Sequence, residues 1–242
     1  MLSLAASGCA VGSDAAPTGE KVVLPSEEVF EFAPEGVEIN VEKAEQEDPL
    51  EAKGAFSRTF GPTYTQAVTI ANGQTVSFST SGGTVGVDPV LVLFRRHDNL
   101  AAFPVNYTER VGIQTLAIND DFSGVHSSIT YTNTTGVTEN ARLMVFAWAN
   151  STGQVNLSGV GTVDVRAGSV RTSGTAGQAW TTGSTGSGDP WLFTFDLGFG
   201  GNGVWNDDSN GTFESTITGA TSLTMWYVAH GWGAGGTTTI NN

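Results

Sequence analysis

The feature that most constrains the fold is a short pattern that occurs twice in the 242-residue chain. Each copy has an Asp-Pro pair, then a run of apolar residues, and further along an Asn-Asp-Asp triplet. The first copy lies at Asp88-Pro89 and Asn119-Asp120-Asp121, and the second lies at Asp189-Pro190 and Asn206-Asp207-Asp208. A pattern that recurs in the same order indicates that the body of the protein is one β module duplicated.

Short apolar and β-branched runs separated by turn residues predict strands throughout both copies. Val76 and Phe78 alternate with polar neighbours, which is typical of a strand with one exposed face. Residues 90–94 are apolar at every position, as in a strand covered on both faces. Asn72-Gly73, between two strand-like runs, is a strong hairpin signal. The patterns therefore predict an all-β chain of two tandem β-sandwiches, one at residues 55–159 and one at residues 160–242.

The N-terminal part of the chain has a different composition from the rest. Residues 1–60 hold half of the acidic side chains and all of the lysines, whereas the remainder is rich in Gly, Thr and Asn. Such a shift marks a boundary. Residues 10–54 have few large apolar side chains to bury, so we expect an acidic and mostly extended tether.

Cys9 is the single cysteine, which excludes an internal disulfide. The small and apolar residues before it, Leu4-Ala5-Ala6-Ser7-Gly8, resemble a bacterial lipobox. This resemblance implies that residues 1–9 are a leader, that Cys9 is lipidated, and that the protein is extracellular or in the cell envelope. The alternative is an incidental cysteine with no role in anchoring.

Charge and motif content exclude several functions. The formal net charge is −14, and no cluster of Lys and Arg is available for nucleic acid or for anionic lipid headgroups. The three histidines, His97, His126 and His230, are scattered, and neither a zinc-binding HExxH motif nor a nucleophile elbow occurs. We therefore predict that the protein is not an enzyme.

The acidic residues of each copy are predicted to meet in space. If the runs at residues 90–94 and 113–118 pair as an antiparallel hairpin, the start of the first lies beside the end of the second. Carboxylates that converge in this way repel each other unless they are protonated or neutralised. Hard oxygen ligands suit Ca²⁺, so we predict one calcium site in each module. The residues are Asp88, Asn119, Asp120, Asp121, Asp189, Asn206, Asp207 and Asp208. The alternative is that both motifs are ordinary turn chemistry.

These motifs resemble the bacterial pre-peptidase C-terminal domain family, which includes the collagen-binding domains of clostridial collagenases. The family pattern is Asp-Pro before an apolar strand, then Asn-Asp-Asp, then a Ser-x-Ile strand, here at Ser127-Ser128-Ile129 and Ser215-Thr216-Ile217. The resemblance covers roughly residues 62–242. It implies jelly-roll-like β-sandwiches, secretion, and a non-catalytic role in adhesion, substrate binding or stabilisation of a partner. Some members of the family bind Ca²⁺.

Other functions stay open beside a binding or adhesion protein whose partner is a protein or polysaccharide at the cell surface. Trp205, next to the acidic turn, and Trp232, in a glycine-rich loop, are candidates for stacking on a ligand, which would suit a carbohydrate-binding module. A cryptic hydrolase is a further alternative. A third class is a structural subunit of a surface layer, fibre or envelope complex, because exposed strand edges allow homo- or hetero-assembly.

Overall fold

The computed structural model describes the residues 21–23, 29–31, 51, 54–96, 111–173, 179–185, 188–196, 202–206, 216–218, 224–231 and 235–241. All regular structure in these ranges is β-strand, which confirms the prediction that the fold is all-β. No helix in them has the length and apolar character needed to cross a membrane. The predicted leader with Cys9, most of the predicted tether, Asp207, Asp208 and Trp232 lie outside these ranges.

Eighteen strands are described, and each pairing among them is antiparallel. Among the described strands, β1 and β2 pair only with each other, as a small hairpin in the acidic segment. The strands are β1 (Lys21–Val23), β2 (Val29–Glu31), β3 (Ala55–Phe60), β4 (Thr65–Ile70), β5 (Thr75–Ser81), β6 (Pro89–Arg96), β7 (Val111–Asn119), β8 (Ser128–Thr132), β9 (Glu139–Ala147), β10 (Gly153–Leu157), β11 (Gly161–Val165), β12 (Ser169–Ser173), β13 (Ala179–Thr185), β14 (Pro190–Asp196), β15 (Asn202–Asn206), β16 (Thr216–Thr218), β17 (Thr224–Gly231) and β18 (Gly236–Asn241).

Eight consecutive strands, β4 to β11, form a sandwich that we call the first unit. One layer has the order β4-β9-β6-β7, and the other has the order β11-β10-β5-β8. Alternate side chains of each strand point into the space between the layers. The apolar cluster there includes Leu91 and Leu143 from one layer, with Ile129, Val155 and Val163 from the other.

The second unit repeats this arrangement strand for strand. Its layers have the orders β12-β17-β14-β15 and β3-β18-β13-β16, so each strand occupies the place of the strand eight positions earlier. The exception is the edge position held by β11 in the first unit. In the second unit that position is held by β3, which precedes the first unit in the chain. Phe60 of β3 packs with Leu192, Tyr227 and Ile240 in the core of this unit.

The two units share one continuous sheet. The edge strands β7 and β15, which are equivalent in the two units, pair with each other, and the result is a sheet of eight strands. Pairing between equivalent edges is the arrangement expected of a pseudo-two-fold axis. Gly203, opposite Ile113 at this joint, has no room for a side chain, because a Cβ there would lie 2.0 Å from the Thr194 carbonyl oxygen.

A middle layer of aromatic side chains fills the space between the two halves of the shared sheet. Phe94 lies 6.2 Å from Phe193, and Phe146 lies 5.4 Å from Trp226, measured between ring centroids across the two units. β6 therefore has one apolar face toward its own sandwich and the other toward the second unit. This double burial explains the unbroken apolar run at residues 90–94 and confirms the prediction for that strand.

The two units defined by strand pairing do not coincide with the two ranges predicted from the sequence repeat. β3 falls within the range predicted for the first sandwich but completes the second unit, and β11 falls beyond residue 160 but pairs with β10.

The predicted Asn72-Gly73 hairpin is also corrected. Gly73 does make a turn, with φ at +80°, but β4 and β5 lie in opposite layers, so the turn crosses the sandwich.

Candidate functional site

The predicted hairpin brings three carboxylates together at one end of the first unit. β6 and β7 pair antiparallel with Leu91 opposite Asn119, so the residues flanking the two strands become neighbours. One side-chain oxygen from each of Asp88, Asp120 and Asp121 lies within 4.8 Å of the other two. We call these three residues the acidic triad. Asp120 is 5% exposed and the other two are half-buried.

The backbone on the Asp88 side of the acidic triad is fixed by the loop that follows β9. The Asp88 carbonyl accepts a hydrogen bond from the Trp148 N–H at 2.8 Å. The Asp88 N–H donates to the Ser151 hydroxyl at 3.0 Å. The Asp88 side chain therefore starts from a backbone position held on both sides, which limits the entropy that ligand binding would cost.

A buried serine joins the two chain segments that carry the carboxylates. The Ser127 hydroxyl contacts the carbonyl oxygens of both Pro89 and Asp120. The Ser128 N–H donates to the Asn119 side-chain oxygen at 2.9 Å. Because that oxygen is already used, Asn119 shapes the loop, and the carboxylates remain as the charged oxygen donors.

Three carboxylates at this separation repel one another when all are ionised. The repulsion is relieved by a bound proton or by a cation, and hard oxygen donors on two loops at one end of a sandwich suit a divalent cation. The sequence therefore predicted both the convergence and its cause, since strand direction alone sets which residues meet.

The loops that adjoin the acidic triad in sequence carry exposed apolar side chains that sequence reasoning missed. Phe122 is 63% exposed and Val125 is 45% exposed on the loop after Asp121, and Val85 is fully exposed on the loop before Asp88. Gly124, with φ at +65°, forms the tight turn that presents the first two. The sequence does contain a signal for them, because these apolar residues lie in turn-forming segments and do not follow the alternation of a strand.

The second copy shows the same placement for its described residues. Leu192 lies opposite Asn206, as Leu91 lies opposite Asn119, and Asn206 is buried. Asp189 is half-buried just before β14, as Asp88 is before β6. Asp207 and Asp208 lie outside the described residues, so a calcium site in this copy stays a prediction.

Trp205 is not on a binding surface. It is fully buried, and it stacks at 5.2 Å on Trp191 and at 5.8 Å on Phe193 in the middle layer. The prediction that its ring stacks on a ligand is therefore corrected, because a ring inside the core offers no face to solvent. Trp205 was adjacent to the acidic turn in sequence, but strand alternation turns it inward. Trp232 lies outside the described residues.

A polar cleft of about 640 Å³ lies between the two units, near β3, β11 and β18. Its described lining includes Gln154, Asp164, Arg166 and several threonines and glycines. Arg166 and Asp164 form an exposed ion pair at 3.3 Å. Phe60, the aromatic residue among the described lining residues, is buried, so the cleft offers no exposed ring there for stacking on a sugar.

His230 packs against the aromatic side chains of the middle layer. Its ring lies 6.0 Å from Trp191 and 6.1 Å from Phe193. Burial lowers the pKa of His230 to about 4, and hydrogen bonds involving the backbone of Gly231 and Thr63 act in the opposite direction. The imidazole is therefore neutral at neutral pH.

The lowered pKa of His230 predicts an acid-dependent loss of stability. As pH falls below the ordinary value of 6.5, the unfolded chain binds a proton that the folded chain does not accept until pH reaches about 4. The full stability is present above that ordinary value. We expect the free energy of unfolding to fall across this window by on the order of 3 kcal/mol.

Urea unfolding of the wild type and of His230→Gln at several pH values between these limits checks this expectation. The variant should show a smaller fall in the free energy of unfolding than the wild type. Equal falls in both proteins would show that other groups cause the acid sensitivity.

Comparisons with family models, with curated proteins and with solved structures find no match to this chain.

Proposed function

We propose that this chain is an exported, non-catalytic binding or adhesion protein whose first unit holds a Ca²⁺ ion at the acidic triad. The observation that carries the proposal is the approach of Asp88, Asp120 and Asp121 to within 4.8 Å at the end of one sandwich. The kinship with pre-peptidase C-terminal domains, the jelly-roll-like character of each unit and a lipid anchor at Cys9 belong to the same proposal. The repeated sequence motifs and the lipobox-like start support them.

Calcium suits the acidic triad better than smaller or softer cations. The donors are carboxylates on two loops, and Ca²⁺ accepts six to eight oxygens in flexible geometry. Three carboxylates supply the charge, while backbone carbonyls and water would complete the coordination. In the second unit the corresponding set is Asp189, Asp207 and Asp208, with Asn206 shaping the turn as Asn119 does.

The partner would contact the loops around the ion. Phe122, Val125 and Val85 supply apolar area on these loops, and a bound ion would fix the loop conformation that presents them. Exposed apolar side chains on the loops that carry a polar site favour a macromolecular partner, a protein or a polysaccharide at the cell surface. A structural subunit of a larger assembly remains the alternative function.

Calcium titration of the wild type and of Asp120→Asn tests the site. We expect heat on binding and stabilisation of the wild type by about 2.7 kcal/mol for each occupied site when Ca²⁺ is 100-fold above its Kd. Asp120→Asn should lose binding in the first unit. With EDTA present, it should be at least as stable as the wild type, because one source of repulsion is removed.

The matched control is Asp164→Asn, which removes a partly exposed carboxylate far along the chain from the acidic triad and should leave calcium binding intact. Asp207→Asn isolates the second site, so a stoichiometry of two in the wild type should drop to one in either site variant. Absence of heat at millimolar Ca²⁺ would overturn the metal assignment.

A further inference from the structure

Among the described strands, the strand order of the two units differs at the position of β3. In the first unit, β11 follows β10 directly through a turn at residues 158–160 and forms the edge of its sheet. In the second unit, the equivalent place beside β18 is taken by β3, which precedes the whole of the first unit in the chain. The second unit is therefore completed by a strand that the chain donates from a distant point in sequence.

β3 is hydrogen-bonded to residues outside its own segment along its whole length. It pairs with β18 from Ala55, opposite Asn241, to Phe60, opposite Gly236. The buried Arg58 side chain donates to the Ser169 carbonyl. On the other edge, the Thr59 N–H donates to the Asn150 side-chain oxygen at 2.7 Å, and the Thr59 carbonyl accepts from the Gly168 N–H at 2.9 Å.

All of these neighbours lie outside β3 and outside residues 61–64, which follow it, so they would stay in place if β3 came from elsewhere. The same hydrogen bonds and the same burial of Phe60 would form with β3 from a second copy of the chain. Without its donor strand, β18 would expose an unpaired edge, which is a template for strand addition.

The connection between β3 and the first unit is a short hinge. Residues 61–64 link β3 to β4, and the hinge is anchored at its two ends to different units. The Gly61 carbonyl accepts a hydrogen bond from Gly231 of the second unit, whereas the Thr63 hydroxyl donates to Val145 of the first. Pro62 lies between these anchors, and short hinges of this kind favour exchange of an element between copies.

We propose that β3 is an exchangeable donor strand, which completes the second unit of another copy of this chain. The donor strand and the edge of β18 that accepts it are different surfaces, so the contact is head-to-tail. Reciprocal exchange between two copies closes a dimer, and exchange with successive copies extends into longer oligomers. This assembly does not depend on the proposed calcium site.

Single-cysteine variants of the full chain test strand exchange, in a Cys9→Ser background that removes the native thiol. Ser57 and Thr239 lie opposite each other in β3 and β18, so pairing of β3 from a Ser57→Cys copy with β18 of a Thr239→Cys copy holds the two thiols within disulfide distance. The two variants, made with different mass tags, are mixed in denaturant, refolded together at high concentration and oxidised.

We expect a disulfide-linked heterodimer at least about tenfold more abundant than in a control that pairs Ser57→Cys with Thr237→Cys. Thr237 lies opposite Thr59, two residues out of register with Ser57, and cross-strand disulfides require close Cα atoms. Equal yields from the two mixtures would overturn the proposal.

A second measurement needs no mixed variants. Cys9→Ser protein refolded at high concentration should give a series of oligomers in light scattering, whereas refolding at high dilution should give monomers. The oxidised double variant Ser57→Cys/Thr239→Cys, with β3 locked in its own chain, should give monomers at both concentrations. Monomers alone from the unlocked protein, or oligomers from the locked one, would contradict strand exchange.

Discussion

Replacing Phe193 with alanine is expected to destabilise both units together, by about 3–5 kcal/mol. Phe193 is fully buried in the middle layer, where it meets Phe94 of the first unit and Trp205 of its own. The cavity would open between the two halves of the shared sheet. Because β7 and β15 also join the units, we expect a single unfolding transition in calorimetry and in urea, displaced as a whole.

The matched control is Phe122→Ala, which removes the same atoms from a side chain that is 63% exposed. This variant should stay within about 0.5 kcal/mol of the wild type. Two separate transitions, with only one of them displaced by Phe193→Ala, would show that the units fold independently and that the middle layer does not couple them.

Replacing Arg95 with methionine is expected to cost about 3–5 kcal/mol, because it leaves a buried carboxylate without its partner. Arg95 of β6 pairs with Glu139 of β9, which is 2% exposed, and its Nε donates to the Gln114 side chain at 2.8 Å. The same cluster affects Tyr131. Burial raises the pKa of Tyr131 to about 12, the Glu139 charge adds to the rise, and Arg95 opposes it.

Urea unfolding of Arg95→Met, Glu139→Leu and the double variant separates the pair from its surroundings. The double variant should lose less stability than Arg95→Met alone, since no unpaired charge remains. Arg166→Met, which breaks the exposed pair with Asp164, is the control and should cost at most about 1 kcal/mol. Additive losses in the double variant would show that Arg95 and Glu139 do not stabilise each other.

Local patterns in the sequence predicted the strands and the site but not the partition of the sheets. The apolar run at residues 90–94 implied burial on both faces, and strand direction placed Asp88 beside Asp120. Both conclusions use only residues within a single hairpin. The choice of partner for β3 depends instead on contacts 176 to 186 residues away, and the alternation of Phe56, Arg58 and Phe60 fits the edge of either unit.

Side chains that lie between layers were equally hidden from sequence. Trp205 sits beside polar and acidic residues, so its neighbours in sequence indicate a surface, but its face of the sheet lies in the middle layer and is covered by the first unit. Arg95 and Glu139 are 44 residues apart on strands whose adjacency only the sheet order reveals. A charged residue in an apolar strand indicates that an oppositely charged side chain pairs with it, but it does not identify which one.

The placement of β3 also means that the order of strands along the chain is not the order of the architecture. Asn241 and Ala55 lie opposite each other at adjacent strand ends, so a short turn could connect the end of β18 to the start of β3. A circularly permuted gene that begins at residue 61 and carries residues 54–60 after residue 241 would encode two uninterrupted eight-stranded repeats. In that rearranged protein the last strand would return to its own unit through a tight turn, as β11 does, and the hinge at Pro62 would no longer exist.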